Sequence, residues 1–122
     1  MPEKKILLVD DDLVCLRFLR ETLEKKYVLR LVQNGEEVLE ILQSFRPDVV
    51  VLDVMMPGID GFEVCQSLRN KKFSRNIKIV FASAKELPIE KRNDIIRRGD
   101  GYLLKPFGPM DLEHQIERII AV

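Results

Sequence analysis

The chain has 122 residues with 20 basic and 20 acidic side chains, so its formal net charge is zero. This length favours one domain with a buried core, and the charge balance gives no overall attraction to nucleic acid or to an anionic membrane. No apolar run approaches the about 18 residues that span a bilayer, and the apolar part of MPEKKILLVD is too short for a secretory signal. Cys15 and Cys65 belong to no CxxC motif, which favours free buried thiols over a disulfide or a zinc site.

Five short apolar runs alternate along the chain with segments of helical spacing. We predict strands at residues 6–9, 28–32, 49–52, 77–81 and 102–104. Strands that alternate with helices are typical of a parallel sheet covered on both faces, so the predicted class is α/β.

The segments that separate and follow the strands carry apolar stripes and N-terminal signals that predict five helices. Asn34 precedes the second helix as a typical N-cap. Asp60 and Glu63 have the spacing of a capping box at the start of the third helix, and Pro109 lies in the first turn of the fifth. The fourth predicted helix, at residues 87–98, has the thinnest apolar face, so we expect it to be the easiest to shift.

The polarity of the strands predicts their order. The first, third and fourth runs are almost wholly apolar, as expected for strands buried on both faces. The second run carries Arg30 at its centre and the fifth is short, so both are predicted at the edges. With right-handed crossovers this gives the order 2-1-3-4-5, which is that of a flavodoxin-like, doubly wound, five-stranded parallel sheet.

Polar side chains follow the strands at the edge where their carboxyl ends meet. Asp10 and Asp11 follow the first strand, Asp53 the third, Ser83 the fourth and Lys105 the fifth. Clustered carboxylates repel one another and favour a hard cation such as Mg²⁺. A hydroxyl and an ammonium opposite them would complement a phosphoryl group, and an aspartate can act as its acceptor.

Each of these residues also has a purely structural interpretation. The run of aspartates at residues 10–12 could cap the first helix, Ser83 could cap another, and Lys105 could belong to a turn. Asp53 is the hardest to explain in this way, because a carboxylate at the end of a buried strand is costly without a partner. The arrival of all these groups at one edge favours the joint functional interpretation.

The sequence resembles the receiver domain of two-component response regulators, with the chemotaxis regulator among them, over its whole length. The matching segments are LLVDDD, NGEEVLEIL, PDVVVLDVMMPGIDGFEV, VFASAK and GYLLKPF. The resemblance implies a cytoplasmic phosphorylation switch, which catalyses only its own phosphorylation and dephosphorylation. Residues 1–122 form the receiver domain and hold no output domain, so we expect either a stand-alone receiver or a fragment of a longer regulator. Its implied partners are a histidine kinase or phosphotransfer protein and a downstream protein target, with no direct contact to nucleic acid or membrane.

The resemblance also implies the roles of residues in the acidic pocket. Asp53 is the implied phosphoacceptor. Asp11 and Asp53 would ligate Mg²⁺ with the backbone carbonyl of Met55, and Asp10 would act largely through a bound water. Met55 and Lys85 lie at positions that tune dephosphorylation in the family.

The remaining implied roles concern the switch. Ser83 would bond a phosphoryl oxygen and Lys105 would pair with the acyl-phosphate, in a loop where the bond to Pro106 is usually cis. Tyr102 would turn inward on activation. Signal output is predicted on the surface of the fourth helix, fifth strand and fifth helix, where a partner or a second copy in a weak homodimer would bind. The charges that suit such an interface are Lys91, Arg92, Arg97 and Arg98 on the fourth helix and Asp111, Glu113 and Glu117 on the fifth.

Two alternatives share part of this pattern. A phosphatase of the haloacid-dehalogenase type also places an aspartate after an apolar strand, but it requires a second acid where this chain has Met55. A degenerate receiver would bind partners without phosphorylation, which the intact set of acids, Ser83 and Lys105 argue against.

Overall fold

The structure is a computed structural model, and it describes residues 3–83, 90, 93, 97 and 99–121. Five parallel strands form one sheet in the order β2-β1-β3-β4-β5. The strands are β1 (Lys5–Val9), β2 (Val28–Val32), β3 (Val49–Asp53), β4 (Lys78–Ser83) and β5 (Gly101–Leu104). The predicted order and both predicted edge strands are therefore confirmed.

Four helices lie within the described residues. They are α1 (Leu13–Leu23), α2 (Gly35–Ile41), α3 (Gly61–Arg69) and α4 (Pro109–Ile120). The helix called α4 here is the one that the sequence predicted as the fifth. The helix predicted at residues 87–98 falls outside the described residues, apart from positions 90, 93 and 97. Among the described helices, none combines the length and the apolar character that crossing a bilayer requires.

The helices begin where the sequence predicts. The side chain of Asn34 accepts a hydrogen bond from an amide in the first turn of α2. Asp60 and Glu63 form the predicted capping box, in which the Glu63 amide lies 2.9 Å from the Asp60 carboxylate. Pro109 is the first residue of α4, where its missing N–H costs no helical hydrogen bond.

The sheet separates two apolar layers. Residues such as Leu7 and Leu52 face α2 and α3, whereas Leu8 and Val51 face α1 and α4. The three central strands are buried on both sides, but β2 has only one fully buried residue. The strands that carry Asp10, Asp53 and Ser83 are therefore packed on both faces.

The carboxyl ends of the strands are aligned by their register. Asp53 lies opposite Ala82, and Ser83 lies opposite Leu104. The amide of Lys105 donates to the carbonyl of Ser83 at 2.7 Å, which extends the pairing by one residue. The side chains that follow β1, β3, β4 and β5 are thereby directed to one edge.

Gly61 lets α3 begin directly against the end of β3. Its amide donates to the carbonyl oxygen of Val54 at 3.0 Å. A Cβ at this position would lie 2.5 Å from the carbonyl oxygen of Asp53, closer than any side chain tolerates. A residue without a side chain is therefore required for this packing.

Candidate functional site

Three carboxylates converge at the carboxyl edge of the sheet. Asp10, Asp11 and Asp53 each offer one oxygen, and these oxygens all lie within 4.8 Å of one another. Asp10 is only 1% exposed and Asp53 only 5%, whereas Asp11 is exposed. Because buried carboxylates at such separations repel one another, the cluster favours a compensating positive charge.

Lys105 supplies part of that charge. Its ammonium nitrogen lies 2.6 Å from Oδ2 of Asp10 and 3.7 Å from Oδ1 of Asp53. The Lys105–Pro106 bond is cis, in agreement with the family resemblance. Burial alone would lower the pKa of Lys105, but its hydrogen bond to Asp10 and the charges of Asp10 and Asp53 raise the pKa. Lys105 is therefore positively charged in the pocket.

Lys105 does not fully neutralise the acids. Burial raises the pKa of Asp53 to about 7, and the negative charge of Asp10 acts in the same direction. The ammonium of Lys105 and a hydrogen bond from the backbone of Met55 oppose this shift without cancelling it. A second cation in the pocket would favour the ionised form of Asp53.

The residues present fit magnesium. The three convergent side chains offer only carboxylate oxygens, which are hard ligands, and the exposure of Asp11 leaves room for the waters that Mg²⁺ retains. Asp12 has another function, since its carboxylate caps α1 by accepting from the amide of Val14 at 2.9 Å. Of the three consecutive aspartates, two face the cluster and one begins the helix.

Met55, Ser83 and Tyr102 lie around this cluster. The side chain of Met55 is exposed, and its backbone contacts the Asp53 carboxylate through the hydrogen bond described above. Ser83 is fully buried at the end of β4. Tyr102 is half-buried on β5 and packs against the apolar layer on the α2 and α3 side. The carbonyl ligation by Met55 and the switching roles of Ser83 and Tyr102 stay predictions, while Lys85 lies outside the described residues.

Cys15 is a member of the pocket that the sequence interpretation missed. This half-buried residue of α1 interacts with both Asp10 and Lys105. Burial raises the pKa of the Cys15 thiol to about 12, with a further contribution from its hydrogen bond to Asp10, while Lys105 opposes the shift. The thiol therefore stays protonated and packs beside the charged groups as a neutral neighbour.

The acidic residues of α4 have partners away from the predicted interface. Lys26 lies 3.6 Å from a carboxylate oxygen of Glu113 and 3.7 Å from one of Glu117. The side chain of Asp111 accepts from the amide of Gly108 at 3.0 Å. These acids stabilise contacts within the chain, so they give less support to a charge-complementary output surface than the sequence suggested.

Comparisons with known proteins identify the family. The family model described as response regulator receiver domain matches residues 6–117. The chain is 36% identical over 118 residues to the alkaline phosphatase synthesis transcriptional regulatory protein PhoP of Bacillus subtilis (strain 168), a match that covers 96% of this chain and 48% of that protein. The chain thus spans about half the length of the curated relatives that it matches.

Two solved structures share the fold over nearly their whole length. Chemotaxis protein CheY4 of Vibrio cholerae superimposes with a TM-score of 0.90 at 29% identity, covering 97% of this chain and 99% of that one. The receiver domain of sensor histidine kinase PA1611 from Pseudomonas aeruginosa PAO1, whose structure has a magnesium ion coordinated in the active site cleft, gives a TM-score of 0.89 at 25% identity and covers 99% and 100%. With its sheet order, its acidic edge and this match across residues 6–117, the chain belongs to the response regulator receiver domain family.

Proposed function

We propose that Asp53 accepts a phosphoryl group and that this modification switches the binding surface of the domain. The observation that carries the proposal is the position of Asp53, whose carboxylate lies within 4.8 Å of those of two further acids and 3.7 Å from the ammonium of Lys105. Within the described residues, Asp53 is the buried carboxylate that ends the central strand β3.

The proposed reaction is a phosphoryl transfer. An oxygen of Asp53 forms a bond to the phosphorus of the donor, and the bond from that phosphorus to the donor's nitrogen or oxygen breaks. The leaving group takes the electron pair of the broken bond. Lys105 offers a positive charge toward the oxygens of the transferred group, and it has only to shift within the pocket to do so.

The proposed cofactor is Mg²⁺. Asp10, Asp11 and Asp53 would hold it, with the backbone carbonyl of Met55 as a further ligand. When bound, Mg²⁺ offsets negative charge on the carboxylates and on the phosphoryl oxygens. Asp53 is then ionised at neutral pH, as a nucleophile must be.

The switch is proposed to run through the neighbours of β4 and β5. Ser83 would bond a phosphoryl oxygen, and Lys105 would pair with the modified Asp53. Because the Ser83 carbonyl and the Lys105 amide are already hydrogen-bonded, movement of either residue acts on the same pair of strand ends. Tyr102, half-buried on β5, would respond by moving inward and so change the surface formed by residues 87–98, β5 and α4.

The proposed partners follow from this chemistry. A histidine kinase or a phosphotransfer protein would supply the phosphoryl group, and a protein target would read the modified surface in the cytoplasm. Alternatively, the same surface would bind a second copy of the domain and form a weak homodimer in place of a complex with a protein target. Beyond its own phosphorylation and dephosphorylation, the domain is proposed to catalyse no reaction.

Acetyl phosphate tests the proposal without a kinase. With Mg²⁺, intact mass spectrometry should show one added phosphoryl group on the parent protein and none on Asp53→Asn. The matched control is Asp60→Asn, which changes an aspartate that caps α3 and should leave the modification unchanged. Equal modification of Asp53→Asn, or a phosphoryl group on His114, which is the single histidine of the chain and lies on α4, would overturn the assignment.

A further inference from the structure

The outer edge of β2 is unpaired within the part of the chain that the structure describes. β2 is the first strand in the sheet order, and its one strand neighbour is β1. The amide of Val28 and the carbonyl of Val32 are hydrogen-bonded to the residues that flank β1. Because alternate residues of a strand bond the same neighbour, the amides and carbonyls of Leu29 and Leu31 are directed away from β1. They form an edge that a further strand can extend.

This free edge has defined ends. Before the strand, the amide of Tyr27 donates to the last residue of α1 at 3.1 Å. After the strand, the amide of Gln33 donates to the carboxylate of Glu37 at 3.3 Å. The outward amides between these two bonded positions are those of Leu29 and Leu31. A partner strand therefore has to match these two residues.

The sequence of β2 reads the same in both directions. It is VLRLV, with Arg30 at the centre. A second copy related by a two-fold axis at Arg30 runs antiparallel and places its Leu31 opposite Leu29, so every outward amide and carbonyl gains a partner. A pairing centred on Leu29 would instead leave the carbonyl of Leu31 opposite the amide of Tyr27, which is already bonded. The edge is therefore complementary to itself in the centred register.

The side chains of β2 and the charges beside it suit this pairing. Val28 is 38% exposed and Leu31 is 36% exposed, and apolar residues of the second copy would cover both. Lys25 precedes the strand and Glu36 follows it; both are exposed, and neither forms an ion pair within the described residues. An antiparallel pair brings the basic end of each copy to the acidic end of the other.

Arg30 limits the strength of the pairing. It lies on the two-fold axis, and like charges directly opposite each other destabilise a pair of strands. Within its own chain the guanidinium lies 5.7 Å from the centre of the Phe45 ring, which belongs to the apolar layer on the α2 and α3 side. This contact holds the charge partly away from the axis. Since one pair of short strands is also a small interface, the dimer is weak.

We propose that two copies of this chain dimerise by antiparallel pairing of their β2 strands about an axis at Arg30. The pairing joins the two five-stranded sheets into one continuous sheet. It uses the edge opposite β5, so it does not compete with the output surface proposed above. It also requires no phosphoryl group on Asp53, and the proposal is therefore independent of the proposed function.

Sedimentation equilibrium of the full chain tests the dimer. The parent should self-associate with a dissociation constant of about 0.1–1 mM. Arg30→Thr should lower this constant about tenfold, because it removes the opposed charges and threonine pairs well across strands. The matched control, Lys72→Thr, makes the same change at an exposed position after α3 and should behave as the parent. A monomeric Arg30→Thr, or equal effects of both variants, would overturn the proposal.

Reversal of the flanking charges tests the antiparallel direction, in the Arg30→Thr background where association is easiest to measure. Lys25→Glu and Glu36→Lys should each weaken self-association by about threefold or more. An equimolar mixture of the two should recover the affinity, because each copy then meets opposite charges at both ends. Parent-like association of both variants alone, or no recovery in the mixture, would contradict the pairing.

A disulfide tests the register. In the proposed dimer the two Cα atoms at position 30 are about 4.5 Å apart, a distance that a disulfide spans. Mild oxidation should therefore link Arg30→Cys into a dimer, whereas the parent and the exposed control Lys72→Cys should stay largely unlinked. Equal rates for both cysteine variants would refute the axis at Arg30. Acetyl phosphate should modify Asp53 equally in the parent and in Arg30→Thr, so failure of this proposal and failure of the proposed function are distinguishable.

Discussion

The ammonium of Lys105 lies 2.6 Å from the carboxylate of Asp10 but 3.7 Å from that of Asp53. The closest partner of the lysine is therefore the buried acid at the end of β1, and not the proposed phosphoacceptor. A phosphoryl group on Asp53 has to compete with Asp10 for this cation. In the proposed switch, Lys105 therefore exchanges Asp10 for the phosphoryl group as its partner. The free energy of this exchange depends on the strength of the ion pair between Lys105 and Asp10.

Magnesium binding should depend on the clustered acids and not on the aspartate beside them. Asp11→Asn and Asp53→Asn should each weaken Mg²⁺ binding at least about tenfold, because each removes one of three carboxylates. Asp12→Asn is the matched control, since asparagine also caps helices and Asp12 already engages the amide of Val14. Titration followed by NMR shifts measures the affinity, and a parent-like affinity in both test variants would show that the metal site is misplaced.

The stability of the metal-free protein should depend on the ionisation of Asp53. Folding raises the pKa of this carboxyl from 3.8 to about 7, so its charge destabilises the folded state above pH 7. As the pH falls below 7, the folded protein takes up the proton and this cost decreases progressively, until it is gone near pH 3.8, where the unfolded chain is protonated as well. Asp53→Asn should therefore raise the melting temperature at pH 8, by the equivalent of about 1–3 kcal/mol, and much less at pH 5.

Thermal unfolding in EDTA at both pH values measures this difference. Asp12→Asn serves again as the control and should give no gain at pH 8, because its exposed carboxylate caps a helix. An equal gain for Asp53→Asn at pH 5 and pH 8 would contradict the explanation by ionisation.

The phosphoryl group should be comparatively long-lived because of Met55. This side chain is 62% exposed, lies two residues after Asp53 and has no group that could orient a water for attack. Met55→Asn should shorten the lifetime by about threefold or more. The matched control is Met110→Asn, at a methionine that is 76% exposed on α4. Loss of label after removal of the donor gives the rate, and a lifetime that is unchanged or longer in Met55→Asn would refute the prediction.

Activation should spread from the acidic pocket toward β5. Beryllofluoride, which mimics the phosphoryl group, should change the amide exchange or NMR shifts of Asp53 and Ser83 in the pocket. In the same comparison with the free protein, changes should also be seen at residues 87–98 and in β5, where Tyr102 lies. Changes confined to the acidic pocket, or running into α2 instead, would exclude the proposed output surface.

The sheet and the helix starts were predictable because their signals are local. Arg30 in the second apolar run marked β2 as an edge, and Asn34 and Asp60 marked the starts of α2 and α3. Such signals consist of a hydrophobic period or a capping side chain within one short segment, so they can be read without knowing which distant residues come into contact. The same reasoning brought Asp10, Asp53 and Lys105 to one edge.

Contacts between distant segments were not predictable. The sequence predicts only a buried free thiol at Cys15, whereas its contact with Asp10 and Lys105 depends on how α1 packs against the sheet. The pairing of Arg69 with Asp100 joins residues 31 positions apart through a loop whose path no local pattern specifies. Both contacts follow from tertiary packing, which a single sequence does not reveal.

The approach of α3 to β3 has a consequence for how this protein tolerates mutation. Gly61 offers no ligand, charge or hydrogen-bonding side chain, yet a Cβ there would lie 2.5 Å from the carbonyl oxygen of Asp53. Any replacement has to displace either the helix or the main chain that carries Asp53. A mutated chain therefore keeps the site only if it keeps two kinds of residue. These are the residues whose side chains reach the pocket, and a glycine at position 61, which contributes by having no side chain.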